Sequence, residues 1–366
     1  MDYSLDYKSP KIKWLLTFLA AILSLSCSES ESESEAVFSH SVTHLVEKPD
    51  HYELFDIDSH SKSETVLYYV DDPPQIIDVL PRGDNSYFIF DNLTQSLYHW
   101  QHGDKTRLIA KSGNGPDDVD SGFRLETIDH KPYLMRRPGR SEIICDDANE
   151  CVLHANEIFS KHSTYYERRE SGEVFRSGYF VPGRGVAVRE RYGEVEVVGA
   201  FFTHPDLTIA VDLNFSTIIP LPQKRGYLQK FTGQPFVVLL DYDNLEVLEV
   251  FEIEHFRKPV IRQVGRRGDR YYEMDFSSEV TMSAWYYTQP DESILLIYRH
   301  SRDVPMSSHP LDIAMEITYY DYYRFDPTTL TIEYAGSSEN YIIPLRTGFM
   351  MIEDYMLHYY EPVELM

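Results

Sequence analysis

The sequence predicts an all-β fold assembled from repeated sheet units. Three observations carry that prediction. Short apolar or alternating runs recur along the chain (residues 65–70, 86–90, 106–110, 185–189, 235–240 and 293–298), with Gly, Pro, Asp and Asn between them. Almost no stretch keeps a helical period; residues 156–169 are a weak candidate helix, rich in β-branched and aromatic residues. A strand–Asp–turn–strand pattern also returns several times. Aromatics are 14% of the chain, with 28 tyrosines, which suits half-buried pleated strands.

Before the first strand comes an address. Lys8, Lys11 and Lys13 lead into an apolar run from Trp14 to Ile22, followed by Leu23-Ser24-Leu25-Ser26-Cys27. A basic region, a short apolar region and small residues at the cut make a secretory signal. The 13 residues from Trp14 to Ser26 are fewer than the roughly 20 of a membrane-spanning helix. The cysteine after small residues resembles the lipobox of bacterial lipoproteins, in which the signal is cut before the cysteine and the cysteine is acylated. It departs from that pattern at Ser24, where the usual leucine lies one position further out, at Leu23. The resemblance implies lipidation at Cys27.

Residues 28–35 alternate Ser and Glu, with nothing apolar to bury, so they are expected to be a flexible acidic tether. Acidic residues in this place resemble signals for export to the outer face of the outer membrane; a solvated spacer is the alternative. The expected division is a signal peptide over 1–26, a lipidated cysteine and tether over 27–42, and a folded domain over 43–366. The expected location is the bacterial outer membrane, lipid-anchored, facing the periplasm or the medium.

The chain has three cysteines. With Cys27 lipidated, Cys145 and Cys151 remain, flanking a turn-rich stretch between two apolar runs. A hairpin there would set the two side chains opposite each other, and an exported protein permits a disulfide. Two free thiols are the alternative. The formal net charge of −25 argues against nucleic acid and against direct contact with anionic lipid.

The repeat reads as follows. Strands end at Asp91, Asp241 and Asp326, each followed by a short turn and a second strand; Asp146 and Asp212 look like degenerate copies. In each, the Asp side chain can accept from turn N–H groups and fix a hairpin. Five dispersed copies point to repeated blades. With this pattern the chain resembles the six-bladed β-propeller lipoproteins of Bacteroides-like bacteria, in which a Gly-rich G-x-G-P segment opens the next blade. Gly113-Asn114-Gly115-Pro116 stands at such a place after Asp91. The resemblance implies six four-stranded blades; seven blades or packed β-sandwiches are the alternatives. About 53 residues per blade is somewhat longer than the usual repeat, and seven blades would give about 46.

The chemistry-bearing motifs are few. The chain has no zinc-binding H-E-x-x-H, no nucleophile elbow, no P-loop and no dinucleotide fingerprint. His300 and His309 read as members of a polar loop. No cofactor is expected; Asp117, Asp118 and Asp120 are the candidate Ca²⁺ ligands, but they lack EF-hand spacing, and a solvated or strand-capping loop is the preferred alternative. Arg262, Arg266, Arg267 and Arg270 form one basic island that could recognise an anionic group or pair with the protein's own carboxylates. The aromatic strips 285–287 and 319–323 should alternate inward and outward along strands. The expected role is a binding or scaffolding module for a glycan or an envelope protein, with the loops 113–120 and 262–270 as rim contacts. An envelope lyase or hydrolase acting on polysaccharide is the competing expectation, and would need acid/base side chains converging at a channel mouth.

Overall fold

Six antiparallel sheets follow one another in sequence around a common axis, forming a six-bladed β-propeller. The computed structural model describes residues 36–49, 60–68, 77–83, 85–92, 94–113, 119, 122–128, 131–136, 139–146, 150–157, 163–181, 184–264, 271–275, 281–289, 291–305, 314–353 and 356–362. Three strands precede the first blade: β1 (Val37–Phe38), β2 (His44–Val46) and β3 (His60–Tyr68). Blade 1 is β4 (Ile77–Gly83), β5 (Ser86–Asp91), β6 (Ser96–Gln101) and β7 (Arg107–Ala110). Blade 2 is β8 (Gly122–Ile128), β9 (Lys131–Arg136), β10 (Gly139–Cys145) and β11 (Cys151–Glu157). Blade 3 is β12 (Ser163–Arg168), β13 (Val174–Val181), β14 (Arg184–Arg191) and β15 (Glu194–Val198). A short strand β16 (Phe202–Thr203) and the helix α1 (Leu207–Leu213) lead to blade 4: β17 (Ser216–Pro220), β18 (Tyr227–Phe231), β19 (Phe236–Leu240) and β20 (Val247–Ile253).

A separate hairpin, β21 (Val260–Val264) and β22 (Tyr271–Asp275), precedes blade 5. That blade is β23 (Thr281–Thr288), β24 (Ile294–Pro305), β25 (Ala314–Asp326) and β26 (Thr331–Ser338). Blade 6 is β27 (Ile342–Pro344), β28 (Phe349–Glu353) and β29 (Met356–Pro362), completed by β3 from the other end of the chain. Pairing of β3 with β29 closes the ring, so no blade is left with a missing strand. Six such sheets decide the blade count against seven, and a closed ring replaces the packed-sandwich alternative.

Blades are buried on both faces, which is why their strands read as apolar runs rather than strict alternation. All five residues of β19 are buried, as are those of β18, where Gln229 and Lys230 sit among apolar neighbours. The apolar side chains form layers between blades. One cluster joins blades 5, 6 and 1, another blades 3 and 4, a third blades 4 and 5, and a fourth blades 1 and 2. Gly122, at the start of β8, shows how close neighbouring blades come: a Cβ there would lie 2.7 Å from the Phe90 ring of blade 1.

Local expectations fare unevenly. The described residues of the candidate helix over 156–169 belong instead to the end of β11 and to β12, where Thr164, Tyr165 and Tyr166 favour extended backbone; residues 158–162 lie outside the described residues. Asp91, Asp146 and Asp241 accept from N–H groups of Thr94, Glu150 and both Asp243 and Asn244, and Asp326 accepts from Thr328. Asp212, by contrast, lies inside α1, which is capped by Asp206 accepting from Thr208 and Ile209. His300 belongs to β24 rather than to a loop. Its neighbours continue as a two-stranded ribbon in which Pro305 faces Ala314. Order also reaches back into the stretch assigned to the tether: β1 pairs with β16 and Ser39 N donates to Phe201 O. Cys145 and Cys151 face each other across the β10–β11 hairpin and are joined by a disulfide. Among the described residues no helix is long and apolar enough to cross a membrane.

Candidate functional site

Antiparallel order fixes which turns share a face of the propeller. Second-to-third turns and blade-to-blade connections lie on one face, here the upper; first-to-second and third-to-fourth turns lie on the lower. The connection from β7 to β8 and the β21–β22 hairpin therefore both belong to the upper face. Of the first, Ser112 bridges Val119, which is buried against blades 1 and 2. Asp117, Asp118 and Asp120 lie outside the described residues, as do Arg266, Arg267, Arg270, His309 and Cys27. Arg262 is placed in β21, opposite Glu273, by its backbone alone. Among the described residues no three His, Cys, Asp or Glu side chains are grouped to hold a metal ion.

What converges instead is a set of side chains from the first strands of blades 1, 2 and 5. Asp78 is the second residue of β4, next to Ile77, which faces Asp91 at the upper turn. It is 5% exposed. Its carboxylate accepts from Val79 N at 2.9 Å, Leu125 N at 2.5 Å and the indole of Trp285 at 2.9 Å. Burial pushes the carboxyl up to about 6, against the lowering pull of those three donors and of Arg124. From blade 2, the buried Arg124 and Glu126 stand two apart on β8, and so on one side of the strand, in ion-pair contact. The Arg124 guanidinium lies 5.2 Å over the Tyr286 ring, whose hydroxyl is 3.5 Å from Glu126. Burial pushes the Tyr286 phenol up to about 12.

β23 thus carries the convergence: Trp285 reaches blade 1 and Tyr286 reaches blade 2. Tyr287, two along and on the side of Trp285, also reaches blade 1, donating to Ile77 O at 3.1 Å and meeting the Tyr341 hydroxyl of blade 6 at 3.0 Å. Blade 4 joins from behind. Lys230 Nζ donates to Trp285 O at 2.7 Å and Ile297 O at 2.9 Å, 4.5 Å from the Tyr298 ring centre. Burial pushes its amine well below the usual lysine range. In the second aromatic strip, alternation fails: Tyr320, Asp321, Tyr322 and Tyr323 are all buried, and the register against β26 shifts between Tyr322 and Tyr323.

On the lower face a second cluster locks blade 3 to blade 4. Glu167 accepts from the hydroxyls of Tyr165, Tyr227 and Tyr242 at 2.8, 2.6 and 3.2 Å. Arg169 binds the Asp243 and Tyr242 carbonyls beside it. It also donates to the Tyr227 hydroxyl at 3.3 Å, so one guanidinium joins both blades as a brace.

Asp78, Arg124 and Glu126 carry no motif in the sequence. The one available signal was charge at alternate positions of β8, which an exposed strand face would also produce.

No known family model matches the chain, and no curated protein matches it. Similar solved structures include a candidate exported protein from Bacteroides fragilis, at 9% identity and TM-score 0.46, covering 84% of this chain and 88% of that one. A Bacteroides thetaiotaomicron protein of unknown function follows at 9% identity and TM-score 0.41, covering 89% and 76%. Virginiamycin B lyase from Staphylococcus aureus has 8% identity and TM-score 0.37, covering 80% and 97%. The fold assignment rests on the sheet order and ring closure described above.

Proposed function

We propose that this chain is a lipid-anchored envelope propeller that captures a glycan at its axial site. The observation that carries the reading is the convergence of two half-buried aromatic rings, Trp285 and Tyr286, with polar side chains from blades 1 and 2. Ring faces suit the apolar side of a sugar, and fixed donors and acceptors beside them suit its hydroxyls. Binding is favoured over turnover because the ionisable groups hold one another. Asp78 accepts three N–H groups, and Glu126 is engaged by Arg124 and Tyr286, so they orient the rings. A polysaccharide lyase or hydrolase is the second reading, favoured by a single fact: a carboxyl titrating near 6 is suited to acid–base work near neutrality.

The test is binding of the full-length chain to an array of envelope and dietary glycans, with products sought by mass spectrometry. The expected result is binding without products, weakened about tenfold by Tyr286→Ala, the loss of one stacking contact. Products would establish the enzyme reading. Silence on every glycan would sink both, and would send the search to protein partners by crosslinking. Anchoring is tested separately: Cys27→Ser should move the protein out of the membrane fraction and abolish acyl labelling.

A further inference from the structure

Among the described strands, blade 4 is the one blade with a strand too many. Its four strands, β17 to β20, already match the other blades, yet β2 adds a fifth on the outer edge of β20. It does so in parallel, the one parallel ladder among the described strands, with His44 opposite Phe251, Leu45 opposite Glu252 and Val46 opposite Ile253. The blade needs nothing from this segment to be complete. The segment is held as a bound peptide is held, by main-chain bonds for affinity and by pockets for alternate side chains.

The main-chain bonds run along its whole length. Thr43 N donates to Val250 O at 2.9 Å, Glu254 N to Val46 O at 3.0 Å, and Lys48 N to the Glu254 carboxylate at 3.1 Å. Residues 44, 46 and 48 engage the protein in turn. His44 stacks on Phe251 and pairs with Glu249, and Val46, 4% exposed, enters the apolar cluster between blades 4 and 5. Leu45, between them, is 57% exposed. Lys48 ends the series in a cage on blade 5. Its ammonium lies 2.8 and 2.6 Å from the two oxygens of Asp321, with the Tyr319 and Tyr334 rings 5.5 and 5.6 Å away. Asp321 is 1% exposed and also meets His300 at 2.8 Å.

We propose that the β20 edge and the Asp321–Tyr319–Tyr334 cage form a docking site for an extended peptide of apolar-x-Lys pattern on a partner protein, which the chain's own residues 43–48 fill in cis. The acidic groups that touch the segment supply the charge complementarity: Glu249 meets His44, Glu254 accepts from Lys48 N and Asp321 holds the Lys48 ammonium, whereas Glu252 pairs with Lys258, so the site selects a lysine at the end of the strand. This surface lies away from the axial site and is independent of the glycan reading.

Tethering gives the cis segment a millimolar-scale effective concentration, so a free peptide should compete poorly until that segment is loosened. Val46→Asp puts a charge into the apolar cluster and leaves the cage intact. A fluorescent peptide spanning residues 42–49 is titrated against the full-length chain by anisotropy. It should bind Val46→Asp at least about thirtyfold more tightly than the unaltered chain, and a Lys48→Ala version of the peptide should lose at least about tenfold. A Val46→Asp chain with an unchanged circular dichroism spectrum that ignores the peptide would overturn the proposal, making β2 a permanent fifth strand. Equal binding of the two peptides would overturn it too, because the cage would then select nothing. Should Val46→Asp fail to fold, Lys48→Ala of the chain takes its place. There the lysine peptide should displace the cis segment, seen as faster amide exchange at residues 43–46, at lower concentration than the alanine peptide, and the same two failures apply.

Discussion

Two buried carboxylates in this propeller titrate in opposite directions. Asp78, at the axis, is surrounded by neutral N–H donors with one cation nearby, and burial drives its carboxyl up to about 6. Asp321, between blade 5 and the N-terminal segment, suffers the same burial but directly contacts His300 and Lys48, which together hold it below the usual range. Dipoles alone do not offset the loss of water around a charge; the Lys48 ammonium and a hydrogen bond from the His300 ring, both at contact distance, do. Asp78 therefore staples blades 1, 2 and 5 at some cost to stability near neutrality, whereas Asp321 stabilises the rim by remaining ionised.

The largest test of that contrast is Asp321→Ala. It strips the shared partner from Lys48 and His300 and should cost about 3 to 5 kcal/mol in urea unfolding, the usual penalty for breaking a buried pair. A cost below about 1 kcal/mol would mean that the pair is screened and the contrast with Asp78 false.

Next is Asp78→Asn, read against pH. The folded chain keeps the Asp78 proton to about pH 6, while an unfolded carboxyl gives it up near pH 4, so the folded state binds more protons in that window. Stability from this group is full below about pH 4 and is lost as pH rises through about 6, by up to about 3 kcal/mol. Asp78→Asn should flatten that slope, while Asp321 acts with the opposite sign, its contribution present above the unfolded carboxyl pKa and lost as pH falls. An unchanged slope in Asp78→Asn would place the titration elsewhere.

Lys48→Met is expected to cost less, about 1 to 2 kcal/mol, because the lysine is partly exposed and His300 stays on Asp321. The Asp321 carboxyl, followed by NMR, should titrate at higher pH once the ammonium is gone. Smallest is Asp91→Ala, at about 1 kcal/mol, for a buried carboxylate whose turn bonds to Thr94 are local and easily replaced by water.

The same division between local and distant partners explains how much was legible beforehand. Strands such as β5 and β19 were readable because a run buried on both faces is apolar throughout. The Cys145–Cys151 hairpin was readable because six positions separate its partners. The Asp pattern misled at Asp212, since an aspartate after a short apolar run fits the end of a strand and the last turn of a helix alike; the deciding signal was the cap at Asp206. It also left the blade count open, because Asp91 fixes a second-to-third turn whereas Asp146, Asp241 and Asp326 fix third-to-fourth turns. Spacing between such residues is therefore not the blade period.

The axial site was legible only as the aromatic strip 285–287; nothing in the sequence joined that strip to Asp78, Arg124 or Glu126. Trp285 and Asp78 are 207 positions apart and meet only because blade 6, completed by β3, closes the ring between them. The sequence by itself determined the strands, their turns and the all-β class, since these follow from side-chain period and turn chemistry among near neighbours. Tertiary structure alone decided the six blades, the fifth strand on blade 4 and which buried charges found partners. Those depend on where the chain returns after hundreds of residues, and no local pattern encodes that return.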